Sequence, residues 1–366
     1  MNASRMGGAR GLLAVLACHA LVVACSPTAS QAPSAAPSVT QSSPPASPEP
    51  SPSPSAAAVE FPLELTDANG NDYTFEAAAV KFGDMWDGGK EALADLGLSS
   101  AVQAYAPPAA GVFWNPTGQE PAVQGVEYDV EKWAAAEPDV ILTAAPGFPG
   151  YDDVVEDAME NVFYLHFPPR DTGAPAGAEA FAQNLRWVGQ LADRPTEAEA
   201  AIARYERIVA ALEEAAPEGA ADTEILMMFP SEDGTYWTFP LSNVFCATIA
   251  EHGLGQCVVP PDVATKTDSN VFEVSAEAIL ELDPAWIAYI EGDSSTRTDP
   301  VWPQLAAVES GQVFDVAGRY NCCSLRQLGW ALQNYAFNVW GDEGGIADPG
   351  PMEAYDPTKS PLATGS

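Results

Sequence analysis

Between Pro195 and Glu214, apolar side chains recur at Ala198, Ala201, Ile202, Tyr205, Ile208, Val209 and Leu212. That i, i+3, i+4, i+7 spacing predicts one buried face of a helix. Pro195, Thr196 and Glu197 supply start chemistry, and Pro217 and Gly219 stop it. A helix of this length runs roughly 30 Å, about the width of a small domain. We read it as a stiff strut between two α/β lobes, with a ligand bound between them.

The pattern on either side alternates between strand-like and helix-like runs. Two short alternating segments flank Asp67–Asn71, whose Asn69-Gly70 predicts a hairpin tip without functional weight. Ala77–Phe82 reads as a strand, followed by the glycine-rich turn Gly83–Gly89 and a short helix, Lys90–Leu96. Further strands are expected at Ala101–Tyr105, after Pro138 and at Asn161–Phe167, and helices over Tyr128–Glu137, Asp152–Met159 and Ala176–Leu191. The second half offers strands at Thr223–Phe229, after Pro284 and at Gln312–Val316, and helices at Val244–Gly253 and Leu325–Trp340. Alternation at this spacing argues for mostly parallel sheets flanked by helices. Glu131 precedes Pro138 by the interval at which Glu277 precedes Pro284, and a strand follows each proline. That internal likeness predicts two lobes of similar construction.

The chain's start reads differently. Arg5 and Arg10 precede the apolar run Gly11–Ala24, the layout of a secretory signal too short to be a stable membrane span. Leu21-Val22-Val23-Ala24-Cys25 resembles a bacterial lipobox, which would make Cys25 the lipidated N-terminus of the exported chain. Ser26–Ala58 is almost entirely Ser, Pro, Ala, Thr and Gln, with Glu49 its one charge, and cannot build a core. Extended, it reaches up to about 100 Å from an anchor. The expected division is 1–24 signal peptide, 25–58 lipidated cysteine and linker, 59–174 N-terminal lobe, 175–220 connecting helical segment, 221–341 C-terminal lobe and 342–366 disordered tail.

A net charge of −36 disfavours nucleic acid as a partner. Beyond Cys18 and Cys25, four cysteines remain: Cys246, Cys257, Cys322 and Cys323. In an exported chain they are disulfide candidates, and three pairings are open. Their spacing is not that of a zinc site, and no metal ligand set is expected. Enzyme chemistry has little support: beyond the signal the histidines are His166 and His252, and there is no G-x-S-x-G. A secreted hydrolase is therefore the weaker alternative.

These residues resemble the periplasmic binding proteins that carry ferric siderophores, haem and cobalamin to ABC importers, whose two α/β lobes are joined by one long helix. The helix-to-strand passage Glu131-Lys132-Trp133 through Pro138-Asp139-Val140-Ile141 matches the family's first lobe, and Ser275-Ala276-Glu277 through Pro284-Ala285-Trp286-Ile287 its second. The resemblance implies that Glu131 and Glu277 dock on arginines of the permease. It implies a ligand cleft lined by Trp86, Phe113, Trp114 and Phe148 from one lobe and Tyr236, Trp237, Arg319 and Tyr320 from the other. It implies a non-enzymatic monomer with no cofactor, its ligand a metal chelate, tethered by lipid to the outer face of the bacterial cell membrane. The scarcity of basic clusters favours a ferric hydroxamate over a catecholate, with haem or cobalamin the alternative. Cys322-Cys323 departs from the family pattern; the expected staple joins that loop to Cys246 or Cys257.

Overall fold

The computed structural model describes residues 58–85, 87–105, 130–144, 161–166, 177–230, 235–264, 271–290, 300–316 and 324–364. In chain order the first half contains β1 (Leu63–Thr66), β2 (Asp72–Phe75), β3 (Phe82–Asp84), α1 (Asp87–Asp95), β4 (Val102–Tyr105), α2 (Val130–Ala136), β5 (Val140–Ala144), β6 (Val162–Leu165) and α3 (Ala178–Leu191). The long helix α4 (Pro195–Ala215) follows. The second half contains β7 (Glu224–Pro230), β8 (Tyr236–Thr238), α5 (Val244–Glu251), β9 (Gln256–Cys257), β10 (Phe272–Val274), α6 (Ala276–Leu282), β11 (Trp286–Ile290), α7 (Ala306–Glu309), β12 (Val313–Val316), α8 (Leu325–Gly344) and α9 (Pro361–Thr364).

The first sheet runs β4-β3-β5-β6 and is parallel throughout. The second runs β10-β8-β7-β11-β12, with β9 pairing β7. Its β7, β9, β11 and β12 are parallel, and β8 and β10 add an antiparallel edge. Omitting that edge, β9-β7-β11-β12 repeats the order of the first sheet. The two-lobed α/β architecture expected from the internal likeness is therefore present. Both central strands, β5 and β11, are buried along most of their length, as parallel strands covered on both faces must be.

Gly83 shows how tightly the first sheet is covered. A Cβ there would lie 2.6 Å from the ring of Trp133, which α2 lays across β3. β3 starts at Phe82 rather than Ala77 because the preceding backbone is bonded elsewhere. Ala79 N–H donates to Leu191 C=O at 2.8 Å, and Val80 and Lys81 N–H donate to the Asp139 carboxylate at 2.8 and 2.9 Å. The β1–β2 hairpin is in the expected place. Its tip is closed by the buried Asp67, which accepts from the N–H groups of Asn69 and Asn71, each at 2.9 Å.

The seven residues expected on the buried face of α4 are the ones it buries. The helix is nevertheless not a free-standing strut. One continuous core joins Phe82, Val140 and Leu142 of the first sheet, through Leu185, Ile202, Ile208 and Leu332, to Ile225, Met227 and Ala288 of the second. Each sheet's opposite face has a smaller core of its own, around Trp133 in one lobe and around Tyr289 and Trp302 in the other.

The expectation of a disordered tail from residue 342 is corrected. α8 breaks at Gly341 (φ 54°, ψ −139°), and the chain then folds back over α4 and α8. Ile346, Met352, Tyr355 and Ala363 are buried in the shared core. Arg207 Nε donates to Ala363 C=O at 2.8 Å, and Trp330 Nε1 to Gly350 C=O at 2.9 Å. Gly/Pro-rich composition concealed these anchors because they are too far apart to form a periodic pattern.

Candidate functional site

All strands of the first sheet point the same way, so their carboxyl ends share one edge, where open α/β sheets bind ligands. The described chain reaches that edge at Asp84, Tyr105, Ala144 and His166. α1 begins almost directly after β3, and this places charged groups behind the rim. Asp84 is 1% exposed, Lys90 7% and Glu91 3%. Lys90 Nζ lies 4.8 Å above the Tyr105 ring, a cation–π contact in partly desolvated surroundings. The Asp84 carboxylate packs so closely on α1 that a Cβ on Gly89 would stand 2.5 Å from its Oδ1. Hence the glycine in the helix's first turn, where most residues would be better helix formers.

His166 closes β6 on the same edge. Its N–H donates to Asn184 Oδ1 at 2.6 Å, and its C=O accepts from Asn184 Nδ2 at 2.8 Å. The ring stacks on Trp187, centroids 4.7 Å apart and planes 27° apart. Burial pushes the imidazole below its ordinary pKa, against an opposing pull from Asp67. Sequence pattern did not single out Asp84, Lys90 or Asn184 as site residues. All sit among buried positions, whereas amphipathic spacing assigns polar residues to the exposed face. The signal that could have found Lys90 is its place directly after the paired glycines of a strand-to-helix turn.

Of the expected ligand contacts, Trp86, Phe113, Trp114, Phe148, Arg319 and Tyr320 lie outside the described residues. Tyr236 is corrected to a core residue: it is 3% exposed and packs with Leu226, Met228 and Phe272. Trp237, its neighbour on the opposite face of β8, is half-buried and stacks on Phe229 at 6.4 Å.

Glu131 and Glu277 occupy matching places. Each is exposed, in the first turn of the helix before a central strand, α2 before β5 and α6 before β11. The match extends to the helix exits: Glu137 (φ 47°) and Asp283 (φ 41°) each hold the left-handed conformation just before Pro138 and Pro284. That turn ends the helix and feeds the strand.

Cys25, Cys322 and Cys323 lie outside the described residues. Cys246 of α5 is bonded to Cys257 of β9, with Cα atoms 5.3 Å apart. This overturns the expected staple from the Cys322-Cys323 loop to either of them, because both are already paired. Among the described residues no helix is long and apolar enough to cross a membrane, and no group of three or more His, Cys, Asp or Glu side chains could hold a metal ion.

Two α/β lobes whose parallel strands run in the same order, built around one long helix, define a bilobal α/β architecture. The chain belongs to the periplasmic binding protein family, whose model matches residues 121–320. Solved structures share the fold. The Fe3+-hydroxamate transport system protein of Saccharomonospora viridis superposes with TM-score 0.59 at 18% identity, covering 77% of this chain and 100% of that one. The triscatecholate siderophore binding protein FeuA of Bacillus subtilis, complexed with ferri-bacillibactin, gives 0.59 at 18% identity, covering 74% and 97%. DesE, a ferric-siderophore receptor protein of Streptomyces coelicolor, gives 0.60 at 18% identity, covering 76% and 98%. No curated protein sequence matches the chain.

Proposed function

We propose that this protein is the solute-binding component of an ABC importer for an iron–siderophore complex. It is held at the outer face of the cell membrane by lipid on Cys25 and works as a monomer without catalytic activity. The observation that carries the reading is the matched pair of exposed glutamates, Glu131 and Glu277, one per lobe at equivalent turns of equivalent helices. Both side chains are exposed, so neither is held by burial in its lobe. Two like charges on the two lobes suit a partner with two cationic sockets, and such complementarity orients docking and speeds encounter.

Siderophore-binding proteins among the structures that share the fold support this ligand class. Within that class, a net charge of −36 favours a neutral or cationic ferric hydroxamate over a polyanionic catecholate. Capture would take place between the carboxyl edges of the two sheets. A core continuous through α4 supports a small closing rotation, with shear of packed helices rather than a wide hinge.

The docking role is tested by reversing the charges. Glu131→Arg and Glu277→Arg, separately and together, should leave ligand affinity and folding unchanged. Each should depress uptake into cells or proteoliposomes carrying the cognate permease by about tenfold or more, which corresponds to about 1.4 kcal/mol or more of lost complementarity. Full uptake by the double variant would remove the docking role.

A further inference from the structure

Where the two lobes meet, a short polar seam lies beside the shared core, between α1 and the first turn of α8. α8 is tied to the second lobe: Tyr335 Oη donates to Leu254 C=O at 3.0 Å, and its ring meets Phe245 of α5 edge-on at 5.7 Å. α1 belongs to the first lobe, packed on β3 and β5. At the N-terminus of α8, Ser324 Oγ accepts from Gln327 N–H at 3.2 Å and caps the helix. A hydroxyl has a single proton, and Ser324 gives it to the carboxylate of Glu91, from 233 residues away in sequence. Both side chains are buried, at 3% and 6% exposure. One turn further along α1, Asp95 Oδ1 accepts from Arg326 Nε at 2.8 Å and Nη2 at 2.5 Å. That pair is also nine-tenths buried or more. Arg326 Nη1 in turn donates to Tyr355 C=O of the C-terminal segment, at 3.2 Å.

We infer that this seam is the pivot between the lobes, with Glu91 its positioning residue. Apolar contacts between helices tolerate sliding, because dispersion has no preferred direction. Hydrogen bonds to buried charges do not, since they weaken steeply away from linear geometry. Buried carboxylates are poor general stabilisers, because desolvation offsets most of their attraction, and their best-attested use is to fix register. Two such contacts one helical turn apart fix a line. Rotation about that line keeps both contacts, and translation across it breaks them. Glu91 is also placed where a negative charge gains most, at the positive end of a long helix that it caps through Ser324. The inference takes its purpose from the two-lobe capture reading above.

The experiment needs no ligand, so its outcome is separable from whether iron chelates bind. Spin labels attached by non-cysteine chemistry at Ala135 and Glu281, exposed positions in the two lobes, report the interlobe distance distribution by pulsed dipolar spectroscopy. Glu91→Leu removes the acceptor at similar volume and should broaden the distribution about twofold. Glu91→Gln, which still accepts a hydrogen bond, should restore most of the width. Ser324→Gly removes the hydroxyl while leaving capping within a few tenths of a kcal/mol. It should broaden the distribution equally, with no further change when combined with Glu91→Leu. Wild-type width in either single variant, or additive broadening in the pair, overturns the inference. If Glu91→Leu does not fold, Ser324→Gly alone decides it by the same criterion.

Discussion

At the scale of single residues, the chain places its glycines and buried polar groups according to local geometry. Gly83 is one such place: its backbone lies directly under the Trp133 ring, so a methyl group has nowhere to go without moving the indole. Gly83→Ala should destabilise the folded state by about 1–3 kcal/mol through overpacking, read as a lower urea midpoint with an unchanged slope. His166 gives a pH signature. Burial holds its folded pKa below the ordinary value of 6.5, so the unfolded chain takes up a proton first as pH falls. Stability conferred by the neutral ring is complete above pH 6.5 and is lost as pH drops towards the lowered folded value. His166→Phe should flatten that acid limb of a thermal-melt series; an unchanged limb would place the proton uptake elsewhere.

At the scale of elements, hydrophobic spacing was readable wherever a helix had one dry and one wet face. α4 is the clear case, starting at the expected proline and burying the expected residues. Central strands were readable as continuous apolar runs, and the Glu-to-Pro interval located both helix–strand passages. Three things were not readable. α1 is buried nearly all round, so its buried acids and lysine follow no amphipathic rule. The resemblance implies Tyr236 as a cleft residue, but the antiparallel pairing of β8 turns it into the core. The C-terminal segment is held by isolated anchors and by hydrogen bonds from Arg207, Trp330 and Arg326, none of which is periodic. The shared core makes a further demand on α4. Ile208→Ala, at the fully buried centre of its packed face, should cost about 2–5 kcal/mol. Because that core spans both lobes, unfolding should stay a single transition by fluorescence and circular dichroism, with no half-folded plateau.

At the scale of the whole molecule, the account rests on duplication and polarity. Two sheets of like order each have an acid in the first turn of the helix that feeds the central strand. A net charge of −36 keeps copies of such a protein apart by mutual repulsion. The continuous core and the polar pivot both favour a modest closing motion over a large one. The most direct test of the central claim is a tryptophan-quenching titration of the purified chain from residue 59 onward against ferric hydroxamates, ferric catecholates, haem and cobalamin. The account predicts saturable binding of a ferric hydroxamate with Kd below about 10 µM, roughly −7 kcal/mol, and weaker binding of the catecholate complexes. No saturable quenching by any of the four classes would contradict it.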